Sequence, residues 1–135
     1  MILMDKKLLR ILVIDDSEDD TLLLERELKC GEWEIVIFRV DTAEQMNLAL
    51  ENNVWDVVLS DYMIPGFGGM DALHLFKTFN LDIPFILISG KITEEIAVIA
   101  LQEGAQDFIS KQNTTLIVFC CQVDFLCYEE RLLSL

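Results

Sequence analysis

Short, uninterrupted apolar runs alternate along this chain with longer stretches of helical periodicity. Ile11-Leu12-Val13-Ile14, Val57-Val58-Leu59 and Phe85-Ile86-Leu87-Ile88 are apolar at consecutive positions. Strands with one wet face alternate apolar and polar residues, whereas strands covered on both faces lose that alternation. Between these runs the pattern turns helical. Ser17 is placed to cap a helix carrying Leu22, Leu23, Leu24 and Leu28, with Gly31 as its stop. Glu34 to Val40 reads as a strand, and about Thr42 to Glu51 as a helix. A strand over Trp55 to Ser60 precedes a Pro-Gly loop and a helix over about Met70 to Phe79. Pro84 opens a fourth strand, Thr93 caps the next helix, and Gly104 ends it. A short fifth strand and a final helix from roughly Asn113 to Leu132 complete the chain. Five such βα units predict an α/β fold, a doubly wound parallel sheet with helices on both faces. No linker, repeat or low-complexity tract divides residues 1–135, so one domain is expected.

The residues at the strand ends carry the chemistry. The first strand runs into Asp15-Asp16, the third ends at Asp61, the fourth runs into Ser89, and Asp107-Phe108-Ile109-Ser110 delivers Lys111. Open α/β sheets bind their ligands at the carboxyl edge of the strands. Any one of these acids alone is a common turn former or helix cap. Three acids, a hydroxyl and one lysine converging on one edge suit a metal-assisted phosphoryl acceptor. Asp15, Asp16 and Asp61 can hold a hard divalent cation such as Mg²⁺. An Asp carboxylate can take a phosphoryl group as an acyl phosphate. Ser89 and Lys111 can then serve its oxygens by a hydrogen bond and an ion pair. Glu18, Asp19 and Asp20 read differently, as a solvated acidic helix start.

These motifs together resemble the receiver domain of bacterial two-component response regulators, of the chemotaxis-receiver type. The likeness covers about Arg10 to Asn113. It rests on Ile-Leu-Val-Ile-Asp15-Asp16-Ser, Val-Val-Leu-Ser-Asp61-Tyr-Met-Ile-Pro-Gly, Ile-Leu-Ile-Ser89-Gly and Gly104-Ala-Gln-Asp-Phe108-Ile-Ser-Lys111. The resemblance implies the flavodoxin-like strand order 2-1-3-4-5. It makes Asp61 the acceptor of a phosphoryl group from a sensor histidine kinase or phosphotransfer protein. Mg²⁺ (or Mn²⁺) would be held by Asp15, Asp16, Asp61 and the Met63 backbone carbonyl. Ser89 and Phe108 would be the switch residues, Met63 and Lys91 the positions that tune phosphoryl lifetime, and the fourth helix, fifth strand and fifth helix the output face. Such a domain catalyses only its own phosphorylation and dephosphorylation. One departure stands out: the family usually has Lys-Pro where this chain has Lys111-Gln112, which puts a cis peptide there in doubt.

Other classes fit less well. A hydrolase with an aspartate nucleophile needs a second acid two residues later, where Met63 stands. A flavin module needs a Ser/Thr/Gly-rich phosphate loop, where Asp15-Asp16 would repel the phosphate. A degenerate receiver used only for docking is disfavoured because every expected site position is filled. Net charge is −14, from 24 acids against 10 bases, and no basic recognition helix occurs, so direct nucleic-acid binding is not expected. The longest apolar run is too short to span a bilayer, and the four cysteines form no metal or CxxC pattern. A soluble cytoplasmic protein is the expectation. The final helix is unusually apolar. Leu116, Phe119, Val123, Leu126, Glu130 and Leu133 follow a heptad-like spacing, read either as a stripe tucked into the core or as a homodimer interface. His74 is read as a partly exposed helix residue.

Overall fold

A computed structural model describes residues 8–30 and 33–122. The elements alternate throughout: β1 (Leu8–Ile14), α1 (Glu18–Lys29), β2 (Glu34–Val40), α2 (Ala43–Asn52), β3 (Val57–Asp61), α3 (Gly69–Thr78), β4 (Phe85–Ser89), α4 (Glu94–Gln102) and β5 (Asp107–Ser110). A fifth helix, α5, occupies residues 114–122 to the end of the described chain. The strands form one sheet in the order β2-β1-β3-β4-β5, every neighbouring pair parallel. This is the flavodoxin-like order, and it leaves β2 and β5 as the two edges.

Consecutive residues of a strand point to opposite faces, and both faces here are covered. On one face Leu12, Ile14, Val58, Phe85 and Leu87 pack with Met46 and Leu50 of α2, Leu73 and Phe76 of α3, and Ala100 of α4. On the other, Ile11, Val13, Leu59, Ile86 and Ile88 pack with Leu24 and Leu28 of α1 and with Ile117 and Cys121 of α5. β3 and β4 are buried at every position. The edge strand β2 is not; Val36 and Phe38 are exposed.

The helix starts follow local capping chemistry. The Ser17, Thr42 and Thr93 side chains accept hydrogen bonds from the backbone N–H groups of Asp20, Gln45 and Ile96, satisfying donors that a helix start leaves orphaned. Gly104 has φ of 109°, a conformation L side chains resist, and it turns the chain out of α4 toward β5. Gly31 and the heptad positions from Val123 onward lie outside the described residues; the last residue capping α1 within them is Cys30. The third strand starts and ends slightly later than the sequence pattern indicates, so that Asp61 is its last residue.

On α5 the heptad stripe is not tucked into the core at Leu116 and Phe119, its two positions within the described residues. Ile117 and Cys121 face the core, while Leu116 and Phe119 are exposed. His74 is exposed on α3 as expected, 3.6 Å from the Glu103 carboxylate at the end of α4. No cis peptide occurs among the described residues, so the Lys111–Gln112 bond is trans.

Candidate functional site

The crevice lies where β1 and β3 run parallel and their connections leave on opposite sides of the sheet, the position at which open α/β sheets gather ligands. The β1–β3 register pairs Ile14 with Ser60, so Asp15 and Asp61 emerge side by side at the carboxyl edge. The β4–β5 register pairs Ser89 with Ser110, bringing Lys111 in beside them. The Lys111 backbone N–H donates to the Ser89 carbonyl at 2.8 Å, and the Tyr62 N–H to the Ile88 carbonyl at 2.8 Å, extending the sheet to the site.

Asp15 and Asp61 are buried, at 1% and 6% exposure. Each carboxylate divides its oxygens between the local backbone and the lysine. Asp15 Oδ1 accepts from the Ser17 N–H at 2.8 Å, and Asp61 Oδ1 from the Met63 N–H at 3.0 Å. Their Oδ2 atoms lie 2.9 and 2.8 Å from Lys111 Nζ. Asp16 is exposed, and one of its carboxylate oxygens lies within 4.8 Å of an oxygen from each of Asp15 and Asp61. Three convergent carboxylates are the donor chemistry that a hard, oxygen-seeking divalent cation requires, and the set fits Mg²⁺.

Lys111 does not stop at two acids. Its Nζ is also 2.7 Å from Asp20 Oδ2. Asp20 therefore joins the site, and the expectation that it belongs to a merely solvated helix start is corrected; Glu18 and Asp19 are exposed as expected. A helix whose first turn faces the crevice brings its third residue onto the lysine. The signal in the sequence was an acid at that turn, and its partner lay too far along the chain to be paired by spacing.

Burial dominates at Asp15 and raises its carboxyl above the ordinary range, with the Ser17 and Lys111 hydrogen bonds working against it. Asp20 is lowered, chiefly by its hydrogen bond from Lys111. Burial pulls the Lys111 ammonium down, but the hydrogen bonds it donates to Asp20, Asp61 and Asp15 outweigh that and raise it, so it remains a cation at any ordinary pH.

Ser89 is fully buried, and its hydroxyl is turned onto its own loop. It donates to the Lys91 carbonyl at 2.8 Å and accepts from the Lys91 N–H at 3.2 Å. Phe108 is half-buried against the core, its ring 5.6 Å from that of Tyr62 and tilted by 44°. Met63 is 69% exposed, and Lys91 is exposed. Gly69 closes the loop after β3: a Cβ there would meet Leu87 Cδ2 at 2.7 Å, the Tyr62 Cα at 2.8 Å and the Asp61 carbonyl oxygen at 3.1 Å.

Residues 11–117 match the family model described as the response regulator receiver domain. The chain belongs to that family. Among the relatives of this receiver domain is the transcriptional regulatory protein PrrA of Mycobacterium tuberculosis, 30% identical over 76% of this chain and 43% of PrrA. The response regulator SaeR of Staphylococcus aureus is 29% identical over 75% of this chain and 43% of its own length. The chain thus matches less than half the length of these relatives, and they do not single out a chemotaxis-type receiver. The signal receiver domain of a Luxo repressor-type protein from Vibrio parahaemolyticus has the same fold, with a TM-score of 0.83 at 21% identity over 93% of this chain and 95% of that one. No helix among the described residues is long and apolar enough to cross a membrane.

Proposed function

We propose that this receiver domain is a phosphoacceptor switch in which Asp61 takes a phosphoryl group from a phosphohistidine of a sensor kinase or phosphotransfer protein. The observation that carries the reading is the meeting of the Asp61 carboxylate with Asp15 and Asp16 within 4.8 Å and with Lys111 at 2.8 Å. In the transfer, an Asp61 oxygen forms a bond to phosphorus as the phosphorus–nitrogen bond of the donor breaks. The electron pair stays on the imidazole, which takes up a proton. Hydrolysis later reverses the attachment: water oxygen bonds to phosphorus, the Asp61 oxygen leaves as carboxylate, and inorganic phosphate departs. The domain acts on no external metabolite.

Asp15, Asp16, Asp61 and the Met63 backbone carbonyl would hold the Mg²⁺ ion that receiver domains generally bind. Its positive charge, when bound, lets two anionic groups approach. Lys111 orients and neutralises a phosphoryl oxygen by a charge-assisted hydrogen bond. Ser89 exchanges its contact with Lys91 for one to a phosphoryl oxygen, and Phe108 follows into the space beside it, making these two residues the switch. Met63 and Lys91 set how readily water reaches the phosphoryl group, the apolar Met63 slowing it. The output face, α4, β5 and α5, exposes Val98, Ile99, Leu101, Leu116 and Phe119 and serves a partner or a second copy of the chain. Resemblance to transcriptional regulators supports a role in gene control through a module other than this domain, in the cytoplasm.

Incubation with Mg²⁺ and a small phosphodonor, followed by intact mass measurement, tests the reading. A single phosphoryl adduct that disappears in Asp61→Ala is the expected result. No adduct on the unsubstituted protein would sink it.

A further inference from the structure

The backbone of Asp15 is tied to β2 on both sides of its Cα. Its N–H donates to the Val40 carbonyl at 3.0 Å, and its carbonyl accepts from Arg39 Nη1 at 3.2 Å. That carbonyl belongs to the rigid peptide plane joining Asp15 to Asp16, so its direction sets where the Asp16 Cα stands. Of the three acids whose oxygens can share one cation, Asp15 and Asp61 are buried and Asp16 is exposed. Packing fixes the first two, whereas the exposed acid depends on the backbone that carries it. The Asp15 carbonyl is none of the oxygens assigned to Mg²⁺, so the Arg39 contact persists when an ion is bound. Arg39 acts on a metal in two opposed ways. Its charge repels a divalent cation, but the side chain is 30% exposed and Asp41 Oδ2 lies 3.7 Å from the same Nη1, so that charge is screened and partly offset. Its hydrogen bond is direct, and it spares the site the ordering of an exposed ligand.

We infer that Arg39 is a positioning residue for the metal site, acting through the Asp15 carbonyl to keep the exposed Asp16 carboxylate beside those of Asp15 and Asp61. The inference rests on the Mg²⁺-assisted phosphoacceptor reading and extends it to a residue of β2, a strand that supplies none of the motif positions. The two actions of Arg39 predict opposite signs on its removal: loss of a repelling charge tightens Mg²⁺ binding, and loss of the tether weakens it.

The test is the thermal midpoint of the full chain across a Mg²⁺ series, for the unsubstituted protein, Arg39→Met and Arg39→Lys. The rise of the midpoint with Mg²⁺ gives the dissociation constant, and the midpoint in chelator records any damage to the fold separately. Arg39→Met is expected to bind Mg²⁺ about fivefold more weakly, less than the roughly ten- to hundredfold loss when a ligand's own hydrogen-bond partner is removed. Arg39→Lys, which keeps a cationic donor, should recover most of that affinity. If Arg39→Met does not fold, Arg39→Gln carries the same expectation, because its amide ends two bonds short of the guanidinium Nη1. Affinity that is unchanged or tighter without the arginine, while the unsubstituted protein responds to Mg²⁺, overturns this inference alone. A midpoint of the unsubstituted protein that Mg²⁺ does not move overturns it as well, and if no phosphoryl adduct forms either, the phosphoacceptor reading falls with it.

Discussion

Replacing Lys111 by methionine removes the cation that three acids share and keeps a side chain of similar length. The Lys111 side chain is 18% exposed, and two of its partners, Asp15 and Asp61, are 2% and 8% exposed at the side chain. Removing one member of a buried ion pair costs about 3–5 kcal/mol, because the partner charge is left uncompensated. Asp20, at 44% exposure, contributes less than about 1 kcal/mol. A loss of about 3 kcal/mol is therefore expected in chelator-containing buffer, a fall of roughly 12 °C in thermal midpoint for a domain of this size. Mg²⁺ at a hundred times its dissociation constant should return about 2.7 kcal/mol. Its effect should be larger in the variant than in the unsubstituted protein, since no lysine then competes for the same oxygens. Thermal melts followed by circular dichroism, with chelator and across a Mg²⁺ series, measure both quantities. A Lys111→Met protein as stable as its parent in chelator would refute the claim that this lysine neutralises the carboxylate edge.

Three further outcomes follow from the site. Asp15→Asn should raise the thermal midpoint by a few degrees in chelator at neutral pH, because burial raises the Asp15 carboxyl. A raised acid withdraws folded-state stability as pH climbs through its ordinary 3.8 toward the higher folded value, so the gain should be complete above that window and absent below it; a variant no more stable than its parent at pH 7 counts against the account. Gly69→Ala should cost about 2 kcal/mol in urea denaturation, because its Cβ meets the Tyr62 backbone at 2.8 Å and cannot be accommodated by a rotamer change alone. Equal midpoints would show that the loop after β3 shifts freely. In Met63→Asn a polar side chain replaces the exposed apolar one two residues after Asp61, and loss of the phosphoryl adduct followed by mass should quicken several-fold. A rate that is unchanged or slower removes Met63 as a lifetime-setting residue.

The sheet was legible because β1, β3 and β4 are covered on both faces and so read as unbroken apolar runs. Asp15, Asp16, Asp61 and Ser89 were legible for a related reason: each follows or ends one of those strands, Lys111 follows the short β5 beside them, and parallel neighbours must deliver their ends to one edge. Asp20 was not. An acid in the first turn of a helix has an ordinary explanation in the helix dipole, and nothing in the sequence says which way that turn faces. Which stripe of α5 meets the sheet was not legible on similar grounds. Its spacing marks Leu116 and Phe119 as a seam, yet Ile117 and Cys121 meet the sheet. How a helix is rotated about its axis is decided by the surface it lands on, and a broadly apolar helix offers more than one phase.

The two edges of the sheet are unlike each other. β5 is four residues long, whereas β2 is seven and presents Val36 and Phe38 to solvent. An edge strand of that length, paired only on its inner side, is a template for adding another strand. Glu34 and Arg39 are the charged residues along that strand, and charge on an edge strand disfavours such pairing. At high concentration, or in a partly unfolded preparation, stacking of copies should begin along β2, on the side of the sheet farthest from β5.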